Sequence, residues 1–208
     1  FEISSNVGVS KLVNQYYQKN PDKLVDRLKK MGLDEPLGLE IKGEGAPSIP
    51  SPSDKSWSGI SLPWMSIGYE VLQTPLQILT FYNAVANGGT MVKPKLVRAI
   101  KKHGKIEKEF PTEVLNKQIC SKETIAKVRT LMEGVVDHGT ASNLKHANYQ
   151  IAGKTGTAQI SKGGSYHRDK SYQASFVGYF PADKPRYTCI VVVDSPTNSV
   201  YYGNLVAG

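Results

Sequence analysis

Three strand-like segments follow one another late in the chain, and they constrain the fold more than any other feature. They cover residues 149–160, 172–180 and 186–194 and are rich in β-branched and aromatic residues. Both connections are shorter than the crossover that neighbouring parallel strands require, so the strands are predicted to pair in antiparallel order. Because helical patterns dominate the earlier part of the chain, we expect an α+β fold in which helices pack on both faces of this sheet.

Four helices are predicted from the spacing of apolar residues and from residues that begin helices. Thr74-Pro75 precedes the most regular of them, and Ser121 is a simple N-cap for the last. The predicted helices cover residues 6–18, 21–31, 76–86 and 122–139. Two further strands are predicted at residues 92–100 and 106–110, on either side of a turn.

The net charge of the chain invites a nucleic-acid-binding interpretation, which the distribution of the charge does not favour. The 208 residues include 26 Lys and Arg against 18 Asp and Glu, a net charge of +8. The basic residues are scattered, and the densest group, at the predicted turn, is Lys101, Lys102, His103 and Lys105. A solvated turn explains that group, so no nucleic-acid partner is expected. Affinity for an anionic envelope surface or polymer fits the charge equally well.

Neither the cysteines nor the histidines are spaced like metal ligands. Cys120 and Cys189 are far apart, no Cys-x-x-Cys pair occurs, and the four histidines show no ligand spacing. No metal or cofactor is therefore expected. The chain also lacks an apolar run of about 18 residues, the length that indicates a membrane-spanning helix.

The segment Gly153-Lys154-Thr155-Gly156-Thr157 carries the clearest chemical signal. Gly-Lys-Thr also ends a phosphate-binding loop, but that loop needs a glycine where this chain has Asn148 and a helix where it has a strand pattern. The alternative is a strand beside an acyl-transfer site. There Lys154 and the threonine hydroxyls would bind a substrate carboxylate, Gly156 would let a substrate backbone pair as an added strand, and the next N–H group would face a developing oxyanion.

Ser4-Ser5-Asn6 forms a Ser-x-Asn triplet at the start of the first predicted helix. Taken alone it is most simply an N-cap. Its combination with a Lys-Thr-Gly segment far downstream is much less expected by chance, and here the chain resembles the penicillin-binding protein transpeptidases, a family of serine acyltransferases. The resemblance includes residues 4–12, 66–70, 74–77, 86–89 and 152–159. The Asn of the triplet is more similar to the class B, division-type members than to the elongation type.

The resemblance implies roles for two groups of residues. Among catalytic residues, Ser4 would relay a proton between a lysine of the family's first motif and the leaving group. Lys154 would tune Ser4 and the local field, and the Thr157 N–H group would complete the oxyanion hole. Asn6 would bond the acyl amide of a peptidoglycan stem peptide, and the substrate's terminal carboxylate would bind beside Thr155, Gly156 and Thr157. β-Lactams would occupy the same cleft as substrate mimics.

One family feature is not found upstream of the triplet. The family's nucleophile lies in a Ser-x-x-Lys motif before Ser-x-Asn, and only three residues precede Ser4. Ser142 and Lys145 match the spacing of Ser-x-x-Lys, but in the wrong chain order and where a loop is expected, so Ser142 is not interpreted as the nucleophile. We therefore expect residues 1–208 to be a partial transpeptidase domain, truncated at both ends, without its nucleophile and inactive alone.

The resemblance implies that the parent protein is a peptidoglycan D,D-transpeptidase, which cross-links stem peptides through a serine acyl-enzyme. The implied partners are stem peptides, β-lactams and membrane proteins of the division machinery. The implied location is the bacterial cell envelope, on the outer face of the cytoplasmic membrane. The alternative is a non-catalytic β-lactam- or partner-binding module of the envelope. Tyr166, His167 and Arg168 lie in the loop beside the expected cleft, where substrate contact and simple exposure to solvent are equally expected.

Overall fold

The helices begin and end near the residues that the sequence indicated. The computed structural model describes residues 1–160, 171–197 and 200–207, and its helices are α1 (Asn6–Tyr17), α2 (Asp22–Lys30), α3 (Ser61–Met65), α4 (Pro75–Ala86), α5 (Lys122–Asp137) and α6 (Gly203–Val206). Thr74 begins α4 with a capping box: its Oγ1 accepts the Gln77 N–H at 3.2 Å, while Gln77 Oε1 accepts the Thr74 N–H at 2.7 Å. The four predicted helices are confirmed, whereas α3 and α6 are too short to show a helical period in the sequence.

Three long antiparallel strands form the sheet on which the site is built. The strands of the chain are β1 (Met91–Val92), β2 (Ala99–Lys102), β3 (Lys105–Glu109), β4 (Val114–Asn116), β5 (Ala152–Ile160), β6 (Ser171–Phe180) and β7 (Tyr187–Asp194). The order of the long sheet is β5-β6-β7, with Lys154 opposite Val177 and Val177 opposite Ile190. The predicted pairing is confirmed. No other strand in the described ranges pairs with β5, so one edge of β5 is free.

The smaller strands correct part of the prediction for the middle of the chain. β2 and β3 form the predicted hairpin, and its turn residues His103 and Gly104 both have positive φ angles. The single strand predicted at residues 92–100 is wrong, because β1 pairs with β4 and β2 begins after a break. Pro94 lies in that break and, lacking an N–H group, cannot continue a hydrogen-bonded ladder.

Helices cover both faces of the long sheet, as predicted. Tyr179 and Phe176 of β6 are three residues apart and therefore point to opposite faces. Tyr179 packs in one buried cluster with Ala84 of α4, whereas Phe176 packs in another with Ala207, which follows α6. α5 lies against β5 and contributes to both clusters. This helix is consequently fixed to the strand that carries Lys-Thr-Gly.

α1 differs from the other long helices because it has no buried residue. It contacts α3, but its apolar side chains remain open to solvent, and Val7, Leu12 and Tyr16 are 66%, 56% and 73% exposed. The apolar stripe predicted for this helix is present, but the described residues leave much of it uncovered. No helix in the described ranges combines the length and the apolar character needed to cross a bilayer.

Candidate active site

The start of α1 meets β5 at the two motifs that the sequence singled out. Ser5 caps α1, because its Oγ accepts the Gly8 N–H at 3.1 Å. Ser4 is therefore not used as the cap. Its Oγ accepts a hydrogen bond from Lys154 Nζ and lies 3.5 Å from Thr155 Oγ1. The fold thus brings Ser-x-Asn and Lys-Thr-Gly together, although Ser4 and Lys154 are 150 residues apart in the sequence.

The backbone of Ser4 is strained. Its φ angle is +51°, in the left-handed region, which costs an L-residue about 1–2 kcal/mol relative to its ordinary conformations. The Ser4 N–H donates to the Phe1 carbonyl oxygen at 3.0 Å and closes a tight turn. Strain of this kind persists only where the surroundings hold the residue in place, and here Ser4 is held with its hydroxyl against Lys154.

Lys154 is a partly buried cation. Its Nζ donates to the Thr155 carbonyl oxygen at 3.0 Å as well as to Ser4 Oγ, and it lies 5.8 Å from the centre of the Phe1 ring. Burial lowers the pKa of the Lys154 ammonium. The amine therefore loses its proton at a lower pH than an exposed lysine does, which suits a group that exchanges protons with a serine hydroxyl.

A cavity of about 620 Å³ opens between the start of α1 and β5. Lys154 supplies a positive charge to it, and none of the described residues that line it carries a carboxylate. Asn6 is exposed in the first turn of α1 and also lines the cavity, together with several serine, threonine and tyrosine side chains. A cavity whose described lining has a lysine, many hydroxyls and no acid suits an anionic ligand.

The free edge of β5 faces this cavity. The Gln159 N–H donates to the Tyr69 hydroxyl oxygen at 3.3 Å, so the backbone of Gln159 points away from β6. Backbone groups alternate in direction along a strand, so the N–H groups of Thr155 and Thr157 also point away from β6. An extended peptide can therefore add to this edge. The oxyanion role predicted for the Thr157 N–H group requires this orientation.

The side chains on β5 have internal partners that shape the cavity wall. Thr157 Oγ1 accepts the N–H group at the start of α6 at 3.2 Å, which leaves its own proton available for a ligand. Thr155 Oγ1 lies 2.8 Å from Thr140 Oγ1. A Cβ atom at Gly156 would collide with Ser175 Oγ. A larger residue at this position would therefore require the Ser175 hydroxyl to rotate away, whereas the substrate approach predicted from the sequence is a separate reason for a glycine.

Tyr69, Thr140 and Tyr202 are among the described cavity residues that were not predicted as functional. Tyr69 lies in a segment that the resemblance included, but no role was given to this tyrosine. The available signal in the sequence was its place between Gly68 and an acidic residue. Thr140 follows a glycine at the end of α5, which in sequence is indistinguishable from an ordinary helix terminus.

Ser142 is not among the described residues that line the cavity. It begins one 3₁₀ turn, Ser142–Leu144, and Lys145 Nζ donates to the Asp137 carbonyl oxygen at 3.2 Å. That the pair does not form the nucleophile stays a prediction. Tyr166, His167 and Arg168 lie outside the described residues. Where the chain is described, no three His, Cys, Asp or Glu side chains gather as a metal site.

The chain is similar throughout its length to known proteins. A family model described as "Penicillin binding protein transpeptidase domain" matches residues 1–208. Penicillin-binding protein PbpB of Mycobacterium tuberculosis is 34% identical over 96% of this chain and 30% of its own length. Stage V sporulation protein D of Bacillus subtilis is 32% identical over 89% of this chain and 28% of its own length. The chain therefore spans less than a third of these curated relatives.

Solved structures share the fold. Penicillin-binding protein 3 of Mycobacterium tuberculosis, complexed with aztreonam, has a TM-score of 0.80 and 33% identity over 94% of this chain and 44% of its own. The transpeptidase domain of penicillin-binding protein 3 from Burkholderia pseudomallei has a TM-score of 0.77 and 28% identity, over 96% of this chain and 56% of its own. The predicted α+β transpeptidase-like fold is confirmed. The chain belongs to the penicillin-binding protein transpeptidase domain family.

Proposed function

We propose that this chain supplies the second and third motifs of a serine-type D,D-transpeptidase that cross-links peptidoglycan stem peptides. The observation that carries the proposal is the contact between Lys154 Nζ and Ser4 Oγ, in a cavity whose described lining has no carboxylate, at the free edge of β5. Two relatives are named as peptidoglycan D,D-transpeptidases, from Pseudomonas aeruginosa and Buchnera aphidicola. The geometry of the site and the names of these relatives therefore support the same proposal.

The geometry suits a peptide donor that ends in a carboxylate. Such a peptide would lie along the free edge of β5, with its carboxylate near Lys154 and the Thr157 hydroxyl and its amide near Asn6. A serine of the complete protein would attack the carbonyl carbon, and the Thr157 N–H group would stabilise the oxyanion. The terminal residue would leave as an amine protonated through Ser4, and an acceptor amine would then displace the serine from the acyl-enzyme.

The ligands and the location belong to the same proposal. β-Lactams would enter the cavity because their amide and carboxylate match those of the donor peptide. The Mycobacterium tuberculosis relative is described in complexes with aztreonam and with ampicillin, which supports this assignment. The site would act in the bacterial cell envelope, on the outer face of the cytoplasmic membrane and beside membrane proteins of the division machinery.

A fluorescent penicillin tests the proposal. In the complete product of the gene we expect a covalent adduct that survives denaturation and maps to a serine outside residues 1–208, whereas the 208-residue chain alone forms none. Lys154→Gln should slow adduct formation by about a hundredfold or more. Lys127→Gln is the matched control, because Lys127 is 72% exposed on α5 and pairs with Glu123. An adduct at Ser142, or an unchanged rate in the Lys154 variant, would contradict the proposal.

A second candidate function is a non-catalytic β-lactam- or partner-binding module of the envelope. It is favoured by the cavity itself, whose described lining contains no Ser-x-x-Lys pair. The two functions differ in the fate of the label. A module would hold penicillin reversibly and release it on denaturation, whereas a transpeptidase would retain it as an ester.

A further inference from the structure

The C-terminal end of α5 carries a notch formed by two glycines. A Cβ atom at Gly134 would lie 2.6 Å from Glu2 Cδ and 3.1 Å from Glu2 Cγ. A Cβ atom at Gly139 would lie 2.8 Å from Val135 Cα and would collide with the Glu2 carbonyl oxygen. A glycine inside a helix disfavours the helix relative to alanine. Gly134 is therefore unfavourable for α5 itself, and the space that it leaves is occupied by Glu2.

Glu2 is bonded within this notch through both its side chain and its backbone. Glu2 Oε2 lies 2.5 Å from His138 Nε2, at the C-terminus of α5. The Glu2 carbonyl oxygen accepts the Thr140 N–H at 3.1 Å. The His138 side chain is 68% exposed, and a contact with a side chain this exposed contributes little to stability. The arrangement therefore fixes the position of Glu2 more than it stabilises the fold.

The notch connects the two halves of the candidate active site. Ser4 follows Glu2 by two residues and closes a turn with Phe1, so the place of Glu2 sets the place of the Ser4 hydroxyl. On the other side, Thr140 Oγ1 lies 2.8 Å from Thr155 Oγ1 on β5. The end of α5 thus contacts the residues before Ser4 and the strand that carries Lys154. Glu2 itself is not among the described residues that line the cavity.

We propose that Glu2 is a positioning residue, which sits in the Gly134–Gly139 notch and holds Ser4 against Lys154. The effect on catalysis rests on the proposed function above, but the geometric effect does not. Because Glu2 acts through Ser4, its loss should slow the chemical step and leave reversible binding of the ligand largely unchanged.

Gly134→Ala is the sharpest test, in the complete product of the gene. Alanine favours the helix, so α5 should fold at least as well, but its methyl group displaces the Glu2 side chain. We expect the rate constant of acylation by penicillin to fall by about ten- to a hundredfold, while the dissociation constant of the reversible complex and the melting temperature change little. An acylation rate equal to that of the wild type would overturn the proposal.

Glu2 variants separate positioning from a general structural role. Glu2→Ala should slow acylation as Gly134→Ala does, and Glu2→Gln, which can still bond His138, should recover most of the rate. Glu123→Gln is the matched control, because it removes an ion pair within α5, in which Glu123 Oε1 lies 2.6 Å from Lys127 Nζ. Equal effects of Glu2→Ala and Glu123→Gln would overturn the proposal.

A readout without catalysis keeps the inference independent of the proposed function. The titration of Lys154 can be followed by the NMR signal of its side-chain Cε. In Gly134→Ala, Ser4 should withdraw and water should reach the ammonium, so the pKa of Lys154 should rise toward that of an exposed lysine. If wild-type protein is not acylated, the proposed function fails, but this titration still tests the positioning role of Glu2. An unchanged titration of Lys154 in Gly134→Ala would refute that role.

Discussion

Lys154 combines a charge with partial burial, and this combination has a consequence for stability as well as for chemistry. Burial lowers the pKa of its ammonium below the ordinary value of 10.5. Between the lowered pKa and the ordinary one, the unfolded chain binds more protons than the folded chain does. The free energy of unfolding therefore rises with pH across that interval.

This linkage predicts a difference between wild type and Lys154→Met. As the pH is raised from neutral toward 10.5, the stability of the wild type should increase relative to that of Lys154→Met, because only the wild type gains from losing the buried proton. Urea denaturation at several pH values measures the difference. Lys127→Met, at an exposed position of the same chain, should show no such trend. A constant difference across the pH series would contradict the predicted shift.

Single residues also show which contacts of the candidate site could be predicted from the sequence. Ser4 and Lys154 were predicted to meet because their motifs recur together in one family, and the structure places Ser4 Oγ within hydrogen-bonding reach of Lys154. Glu2 and His138 were not predicted. Each is an ordinary surface residue in its local sequence, and their contact depends on two glycines that only the folded chain brings beside Glu2.

Among the elements, β5 has two edges with different partners. Its inner edge pairs with β6 over its full length, whereas its outer edge faces the cavity and is bonded at Gln159 by the Tyr69 hydroxyl. Tyr69 therefore marks where an added peptide strand must stop. The segment of the outer edge left for a ligand lies between Lys154 and Thr157.

This arrangement predicts an alternating pattern of amide hydrogen exchange along β5. The Ala158 amide, which points toward β6, should be protected, while the Thr157 amide should exchange quickly in the free protein. Tyr69→Phe removes the hydroxyl oxygen that accepts from Gln159, so the Gln159 amide should exchange faster and the Ala158 amide should not change. Exchange measured by NMR tests both statements. Equal acceleration at Ala158 would mean that the variant loosens the whole strand instead.

Elements with strong local signals were predicted well, and those that depend on tertiary partners were not. The three late strands and α4 carry alternation or capping that can be read locally. β4 has three residues and exists only because β1 lies beside it, and α6 has four residues. Neither is long enough to show a period in the sequence. β4 is therefore defined only by its pairing with β1, and α6 only by its packing on the long sheet.

For association of the whole molecule with other protein, the exposed apolar face of α1 matters more than the charge of +8. Exposed apolar side chains in one contiguous helix mark a surface that other protein can cover. We predict that the 208-residue chain associates with itself at high concentration through this face. Leu12→Glu should shift the sedimentation coefficient toward that of the monomer.

Ile106→Glu is the control for that prediction. Ile106 is 57% exposed and Leu12 is 56% exposed, but Ile106 lies on the β2–β3 hairpin. The Ile106→Glu substitution should therefore leave the association of the chain unchanged. Association that responds equally to both substitutions would indicate nonspecific contact instead of a defined face.

The free edge of β5 also bears on association between copies of the chain. Between Lys154 and Thr157, the N–H and C=O groups that point away from β6 are a template for any extended chain, including a second copy of this one. Other proteins blunt such an edge with charge or a covering loop. In the function proposed above, the edge instead stays open to bind a peptide. A ligand bound along the edge would then block pairing with a second chain as well as inhibit the proposed reaction.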